Sequence, residues 1–305
     1  MYDMIIIGSG AAGLAAAIYG MRARLSTIII EKQPMSGGQI INTYDVDNYP
    51  GLPGIGGFDL AMKFREHADA LGAQFVMEQV QSVELSGATK KVVTDANTYE
   101  GRTVVIATGA THRKLQIPGE EKLTGMGVSY CATCDGAFFR GKEVAVIGGG
   151  DVALEDALFL ARGCSKVYLI HRRDTFRGAK VLQEKVFATE NIEILWDTVP
   201  EEIKGEQQVE ALSLSNKKTK ETSEISVQGV FVAVGIEPNT ELFSGILDMD
   251  ESGYIKAGEE GVTSMPGVFA AGDVRTKQLR QIITAAADGA NAVTSVERYL
   301  LSVEK

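Results

Sequence analysis

Residues 2–13 read YDMIIIGSGAAG, a short apolar run that leads directly into a glycine-rich turn. The run predicts a buried strand, the alanine-rich stretch after the turn predicts a helix, and the stretch STIII predicts a second strand that ends at Glu31. In such a unit Gly8 makes the tight turn, Gly10 lets the backbone approach a pyrophosphate, and Gly13 lets the helix pack closely on the strand. The sequence therefore predicts a dinucleotide site at its start.

The acidic residue at the end of the second strand supports this prediction. Glu31 lies 23 residues after Gly8, where a carboxylate can accept hydrogen bonds from a ribose diol. A carboxylate there would repel a 2′-phosphate, so this first site suits FAD or NAD.

The same pattern recurs in the middle of the chain. KEVAVIGGG at residues 142–150 predicts a strand and a glycine turn, VALEDALFLAR a helix, and KVYLI a strand that is followed by His171. His171 lies 23 residues after Gly148, but the sequence there is HRRDTFR and not a carboxylate. A cationic group suits a 2′-phosphate, so the second site is predicted to bind NADPH. The group consists of His171, Arg172, Arg173 and Arg177.

These two units predict an α/β protein made of two Rossmann-like nucleotide-binding domains with three-layer ββα architecture. The NADPH domain is expected to be inserted into the FAD domain, since further glycine-bearing strands follow it. Residues 1–112 and 244–305 are predicted to form the FAD-binding domain, and residues 113–243 the NADPH-binding domain.

A pair of thiols lies at the start of the inserted domain, in the stretch YCATCDG at residues 130–136. The pair could be half of a zinc site, a structural disulfide or a redox couple. Structural zinc needs four ligands, and neither Cys164 nor the three histidines show a matching spacing. A cytoplasmic disulfide is usually transient and catalytic, which favours the redox couple.

Composition limits the partners. The chain has 305 residues, is 45% apolar and carries a formal net charge of −10, so a nucleic acid is not an expected partner. Its apolar runs are much shorter than the roughly 20 residues that a membrane helix requires, so no membrane association is expected. The start of the sequence does not resemble an export signal, and a cytoplasmic location is therefore predicted.

Beyond these patterns, the sequence resembles the low-molecular-weight thioredoxin reductases over essentially its whole length. The resemblance rests on GSGAAG, GGQ, NYPG, ATGA, CATCDG, GGGDVA, HRRDTFR and GDVRTKQLRQ. It implies one FAD per chain, NADPH, a homodimer, and thioredoxin or a related small dithiol protein as electron acceptor.

The resemblance also implies roles for individual residues. FAD would be held by Gly8, Gly10, Gly13, Glu31, Gln39, Thr43, Asn48, Asp273, Arg280 and Gln281. NADPH would be held by Gly148, Gly150, Ala153, His171, Arg172, Arg173 and Arg177. No metal site is expected. Two positions depart from the family pattern: Ala287 stands where glycine is frequent, and Asp151 follows the second glycine turn.

By the same resemblance, electrons would pass from NADPH to the flavin and then to the thiol pair. Cys134 would face the flavin, Cys131 would attack the substrate disulfide, and Asp135 would carry the proton. A simpler role for Asp135 is to cap the turn that follows it. Because the thiols must meet both a flavin and a protein partner, residues 113–243 are expected to rotate between the two half-reactions. Phe138, Phe139 and Arg140 are either part of a docking surface or, for the two aromatic residues, part of the core.

Other functions compete with this interpretation. A related flavoprotein could take electrons from ferredoxin or another flavin, although such an enzyme would not need the arginines of HRRDTFR. A reductase that serves a peroxidase would ordinarily carry an additional N-terminal dithiol domain. In a different class, the protein could be a non-catalytic redox sensor.

Overall fold

The computed structural model describes residues 1–43, 46 and 48–303. The chain divides into unit 1, residues 1–111 and 237–305, and unit 2, residues 112–236. The predicted α/β class, with one nucleotide-binding unit inserted into the other, is confirmed. The chain returns to unit 1 earlier than the predicted residue 244, because the Asn239 backbone N–H donates to the Gly109 carbonyl (3.0 Å) and Phe243 is buried in the unit 1 core.

Unit 1 begins with a βαβ arrangement and ends with a long helix. Its first segment contains β1 (Tyr2–Ile7), α1 (Ala11–Arg22), β2 (Thr27–Glu31), α2 (Gly57–Ala70), β3 (Gln74–Met77), β4 (Val80–Glu84), β5 (Lys90–Thr94), β6 (Thr98–Ile106) and β7 (Ala110–His112). Unit 2 follows with β8 (Val128–Ser129), α3 (Ala132–Asp135), β9 (Glu143–Gly148), α4 (Asp151–Ala161), β10 (Lys166–Ile170), α5 (Lys180–Phe187), β11 (Ile192–Leu195), β12 (Thr198–Lys204), β13 (Ala211–Asn216), β14 (Thr222–Ser226) and β15 (Gly229–Ala233). Strand β16 (Ile236–Pro238) spans the return from unit 2 to unit 1. The second segment of unit 1 supplies β17 (Val268–Ala270) and α6 (Ile282–Val303).

The main sheet of unit 1 has the order β3-β2-β1-β6-β5-β4. Strands β3, β2, β1 and β6 are parallel, and β4 and β5 are antiparallel additions. The long strand β6 pairs with β5 through its first half and with β17 through its second half. The central strands are apolar on both faces because separate hydrophobic cores cover the two sides of the sheet.

Unit 2 contains a parallel sheet of order β11-β10-β9-β15-β8 and a separate antiparallel sheet of order β12-β13-β14. Helix α4 packs against β9 and β10, and its apolar residues join one of the two cores of this unit. The carboxyl ends of β9, β10 and β15 therefore lie at one edge of the parallel sheet, where the second glycine turn begins. Ligands of such sheets bind at this edge.

A glycine of α6 lets two helices of unit 1 approach closely. A Cβ atom on Gly289 would lie 2.1 Å from the Ala12 carbonyl oxygen of α1, so only glycine fits there. Ala287, the position at which glycine is frequent in the family, is exposed instead. The close contact between α1 and α6 therefore depends on Gly289, which the sequence analysis did not identify.

Candidate nucleotide and redox sites

In the glycine turn of unit 1, a side chain at Gly8 or Gly13 would clash with the protein backbone, whereas a side chain at Gly10 would not. Gly8 has φ +101°, and a Cβ there would lie 2.5 Å from the Ala107 carbonyl oxygen. A Cβ on Gly13 would lie 1.9 Å from the Gly8 carbonyl oxygen. By contrast, a Cβ on Gly10 would meet only the Gly37 carbonyl oxygen, at 3.9 Å. Gly10 thus leaves space at the start of α1, where the helix N–H groups favour an anion.

Glu31 is held beside this turn. Its Oε2 accepts hydrogen bonds from the Ser9 backbone N–H and hydroxyl, both at 2.8 Å, and its Oε1 accepts one from the Gln33 N–H at 2.9 Å. The structure therefore places the carboxylate at the turn, as the spacing predicts. Ser9 was not singled out from the sequence, although a hydroxyl between two motif glycines could have indicated it.

Four further predicted residues of unit 1 make hydrogen bonds with residues distant in sequence. The Asn48 Nδ2 donates to the Gln281 Oε1 at 2.9 Å, so two residues far apart in sequence are in contact. The Gln39 side-chain amide donates to the Ala110 carbonyl. The Thr43 carbonyl accepts a hydrogen bond from the Gly57 N–H at 3.0 Å, and this contact holds the loop against the start of α2.

Asp273 and Arg280 each have a buried polar atom whose hydrogen-bonding capacity is unused. Among the described residues, Asp273 Oδ1 has no donor and Arg280 Nε has no acceptor. The Arg280 guanidinium lies 4.0 Å from the centre of the Tyr254 ring. Burial raises the pKa of Asp273, and the nearby charges of Lys277 and Arg280 oppose this shift. Buried polar atoms are usually paired, so this pair fits a bound group that offers both a hydroxyl donor and an acceptor, as a flavin does.

A buried ionic network lies next to Asp273. The Asp288 carboxylate accepts hydrogen bonds from Arg275 (2.9 and 2.6 Å), from Lys277 (2.9 Å) and from the Gly272 backbone N–H (3.0 Å). All three side chains are less than a tenth exposed. These contacts fix the turn that carries Asp273, and Lys277 Nζ also forms an ion pair with Asp273 Oδ1 at 3.9 Å. No motif in the sequence indicates Asp288, which lies inside an otherwise ordinary helix.

The glycine turn of unit 2 repeats that of unit 1 with one change. A Cβ on Gly148 would lie 2.4 Å from the Ala233 carbonyl oxygen, whereas a Cβ on Gly150 would meet no atom within 4 Å. Ala153, at the position of the third glycine, is fully buried with its methyl group against Gly148. Gly150 therefore leaves open space at the start of α4, like Gly10 in the first unit.

His171, which was predicted to join the three arginines in a cationic group, is buried while the arginines are exposed. Its side chain is only 4% exposed and lies among Phe176 and Trp196. Its Nε2 is 3.0 Å from the Thr175 carbonyl, and a Cβ on Gly149 would lie 2.2 Å from its ring. Burial lowers the pKa of His171, with Arg177 and Arg172 acting in the same direction. The ring thus packs beneath the glycine turn and supports it.

The three arginines of this loop are exposed, as a phosphate-binding role requires. The Arg177 backbone N–H donates to the Gly149 carbonyl at 2.8 Å, and the Ala179 N–H donates to Asp151 Oδ1 at 2.7 Å. These two hydrogen bonds hold the loop of residues 172–179, called the arginine loop below, against the glycine turn. Asp151, noted from the sequence as a departure, therefore anchors the loop.

The thiol pair of unit 2 is a disulfide, with Cys131 and Cys134 joined across the start of α3. Both cysteines are partly exposed. Asp135 does not cap the turn that follows it, and its Oδ2 instead accepts a hydrogen bond from the Ser129 hydroxyl at 2.5 Å. The capping role considered from the sequence is therefore wrong. Burial raises the pKa of Asp135, and the Ser129 hydrogen bond opposes this shift.

Of the two aromatic residues that follow the disulfide, one lies in the core and the other lies on the surface. Phe139 is buried and packs edge-on against Phe231, whereas Phe138 and Arg140 are exposed. Cys164 is a buried free thiol in the core of the same unit. Within the described residues no cluster of three or more metal-binding side chains occurs, and no helix is long and apolar enough to cross a membrane.

Two nucleotide-binding folds, one of them carrying an intrachain disulfide with an adjacent carboxylate, define a class of disulfide oxidoreductases that use nucleotide cofactors. The chain belongs to the pyridine nucleotide-disulphide oxidoreductase family, whose model matches residues 2–289.

Individual relatives narrow this assignment. The chain is 46% identical to a thioredoxin reductase of Peptoclostridium acidaminophilum, over 98% of this chain and 97% of the relative. It is 44% identical to a thioredoxin reductase of Bacillus subtilis (strain 168), over 100% of this chain and 96% of the relative. The solved thioredoxin reductase of Streptococcus pyogenes MGAS5005 matches with a TM-score of 0.95 and 46% identity, over 99% of both chains. The predicted resemblance to thioredoxin reductases is confirmed.

Proposed function

We propose that the protein is an NADPH-dependent thioredoxin reductase, in which electrons pass through FAD and the Cys131–Cys134 disulfide to the disulfide of thioredoxin or a related small dithiol protein. The observation that carries the proposal is the partly exposed disulfide beside the Asp135 carboxylate, in the unit that also holds the second glycine turn. The high identity to thioredoxin reductases over the whole chain supports it.

FAD is assigned to unit 1, one per chain. The open space at Gly10, the placement of Glu31 and the unused polar atoms of Asp273 and Arg280 support this assignment. Gly8, Gly13, Gln39, Thr43, Asn48 and Gln281 complete the proposed site. When bound, the flavin would supply a two-electron carrier between the nicotinamide and the disulfide.

NADPH is assigned to unit 2. The space at Gly150 suits a pyrophosphate, and the exposed guanidinium groups of Arg172, Arg173 and Arg177 suit a 2′-phosphate. Gly148, Ala153 and His171 belong to the site as supports of the turn, since their side chains or backbone pack within the unit.

The chemistry of the reduced pair is thiol-disulfide exchange. A thiolate at Cys131 attacks one sulfur of the partner's disulfide, and the other partner sulfur leaves. Cys134 then attacks Cys131, which restores the disulfide of this chain and releases the partner as a dithiol. Two electrons and two protons are transferred in total. Asp135 is proposed to accept a thiol proton and return it to the leaving sulfur.

The assembly and motion of the enzyme are also part of the proposal. Resemblance to the thioredoxin reductase family supports a homodimer, a cytoplasmic location and rotation of unit 2 between the two half-reactions. A cross-link that prevents this rotation would abolish turnover, and full activity of the cross-linked protein would refute it.

Anaerobic titration with NADPH tests the cofactor, the donor and the acceptor together. The visible flavin band should bleach with NADPH far better than with NADH, and oxidised thioredoxin should restore it. A flavin that ignores NADPH would instead indicate ferredoxin or another flavin as the donor.

The Cys134→Ser variant provides the matched test of the disulfide. Because the change removes one sulfur of the pair and leaves both nucleotide sites intact, NADPH should still bleach the flavin band while thioredoxin reduction stops. Retained thioredoxin reduction in this variant would contradict the assigned path. Cys164→Ser, which alters the free buried thiol, is the control and should retain activity.

A further inference from the structure

Ser129 lies two residues before the redox disulfide and is the last residue of β8. Its side chain is only 5% exposed, and β8 pairs there with β15 in the parallel sheet. A buried hydroxyl needs hydrogen-bond partners, so the contacts of Ser129 define what it does.

The Ser129 hydroxyl joins the catalytic carboxylate to the backbone of the disulfide. It donates to Asp135 Oδ2 at 2.5 Å and accepts a hydrogen bond from the Cys131 backbone N–H at 3.1 Å. The Cys131 carbonyl is farther from the hydroxyl, at 3.3 Å. Asp135 Oδ1 is buried and has no partner among the described residues. One carboxylate oxygen is therefore held by Ser129, and the other remains able to exchange a proton.

We propose that Ser129 is a positioning residue that holds the Asp135 carboxylate in its proton-accepting form beside the Cys131–Cys134 pair. This inference rests on the proposed function, since it assigns Asp135 the transfer of a thiol proton to the leaving sulfur. The transfer is balanced: Asp135 gains a proton from one thiol of this chain and loses it to a sulfur of the partner. Ser129 itself neither gains nor loses a proton overall.

The surroundings of Asp135 determine the direction in which its pKa should change when Ser129 is replaced. Burial raises the pKa of Asp135, and the Ser129 hydrogen bond lowers it. Helix α4, which packs against α3, carries Glu155 and Asp156 along a cleft that includes Thr133. Burial and the charge of Glu155 raise the pKa of Asp156 to about 7. Strand β15 and the turn after α3 carry no titratable side chain.

Loss of the hydroxyl leaves the effect of burial unopposed. The pKa of Asp135 should then rise, and the carboxyl group should be protonated over a wider range of pH. The acid limb of the rate profile should move to higher pH by about one unit, as expected for loss of one charge-assisted hydrogen bond. Because Asp156 titrates near neutrality, the comparison is repeated in an Asp156→Asn background.

The test compares Ser129→Ala with Ser129→Thr, which keeps the hydroxyl. The NADPH-supported reduction of a bacterial thioredoxin and of the small disulfide dithiobisnitrobenzoate is measured against pH in the flavin-loaded protein. Ser129→Ala should move the acid limb to higher pH and lower the rate about tenfold on that limb, the effect of one pKa unit. Ser129→Thr should resemble the parent protein. Ser295→Ala, which removes another buried hydroxyl far along the chain, is the control and should leave the profile unchanged.

A second readout does not depend on turnover. The carboxyl carbon of Asp135, assigned with Asp135→Asn, is titrated by nuclear magnetic resonance in the oxidised protein, and thermal unfolding confirms that each variant is folded. A higher Asp135 pKa in Ser129→Ala supports the inference. An unchanged Asp135 pKa, or a rate that falls equally at every pH, overturns it. If the parent protein reduces neither thioredoxin nor dithiobisnitrobenzoate, the proposed function fails. The carboxyl titration then still shows whether the Ser129 hydrogen bond lowers the pKa of Asp135.

Discussion

Single residues of the glycine turns and the arginine loop carry most of the proposed specificity. Gly10 and Gly150 leave space at the start of a helix, and neither is required by the packing of its own unit. Arg172 and Arg173 are exposed on a loop that Asp151 anchors. The proposed binding of FAD by unit 1 and of NADPH by unit 2 therefore depends on a few side chains at the carboxyl ends of β2 and β10.

Replacement of Arg172 or Arg173 by alanine should reduce the preference for NADPH. Each loses a charge-assisted hydrogen bond to the 2′-phosphate, so kcat/KM for NADPH should fall by about 10- to 150-fold. The value for NADH should be unchanged, because NADH lacks that phosphate. Steady-state kinetics with both coenzymes measures the ratio.

Arg162→Ala is the matched control, since Arg162 is an exposed arginine at the end of α4. It should alter neither value. A parallel loss for NADPH and NADH in the loop variants would show that the arginines support the fold and do not read the phosphate.

The sequence indicates these residues because glycine spacing and charge recur in a fixed register. It does not indicate the true position of His171, since burial between Phe176 and Trp196 depends on a fold formed by distant segments. Ser129 and Asp288 were missed because neither belongs to a recognised motif. Spacing alone does not predict the hydrogen bonds of Ser129 to Asp135 or of Asp288 to Arg275 and Lys277.

At the scale of elements, α6 packs against α1, the helix that follows the first glycine turn. Helix α6 supplies Gly289, whose missing side chain lets the Ala12 carbonyl approach, and Asp288, which binds the turn that carries Asp273. Helix α6 thus contacts two parts of the proposed flavin site: helix α1, which follows the first glycine turn, and the turn that carries Asp273. No motif noted in the sequence indicates the close approach of this helix to α1.

Gly289→Ala should destabilise the protein and weaken flavin binding. The new methyl group would meet the α1 backbone, and overpacking of this kind costs about 1–3 kcal/mol. Urea unfolding gives the change in free energy of unfolding, and flavin titration of the apoprotein gives the change in affinity.

Gly258→Ala provides the comparison, because a Cβ at Gly258 would lie in open space. Its free energy of unfolding should change by less than about 0.5 kcal/mol. Equal stability of the Gly289→Ala and Gly258→Ala variants would contradict the importance of the helix contact.

At the scale of the whole molecule, each unit has its own sheets and its own hydrophobic cores. The proposed assignment of FAD to unit 1 and NADPH to unit 2 therefore predicts that each cofactor protects a different part of the chain. The alternating sequence pattern predicted both units. The chain returns to unit 1 at residue 237, within the stretch IEPNTELF that was expected to connect the two units.

Hydrogen exchange followed by mass spectrometry tests the assignment. NADP⁺ should slow exchange in residues 143–178, and FAD added to the apoprotein should slow exchange in residues 5–14 and 272–281. A ligand at 100 times its Kd stabilises the folded state by about 2.7 kcal/mol, which is ample for detection. NAD⁺ at the same concentration is the control and should protect unit 2 less. Protection by NADP⁺ confined to unit 1 would reverse the assignment.

The insertion of unit 2 also fixes the order in which the sites are completed during synthesis. A ribosome finishes residues 112–236 before it reaches β17 and α6. Unit 2 can thus complete its parallel sheet, with the arginine loop in place, while unit 1 still lacks the strand beside β6 and the helix that packs on α1. Asp273, Arg280 and Asp288 leave the ribosome after all of unit 2. The nascent chain should consequently be able to hold the nicotinamide coenzyme earlier than the flavin, and a truncation near the C-terminus should abolish flavin retention first.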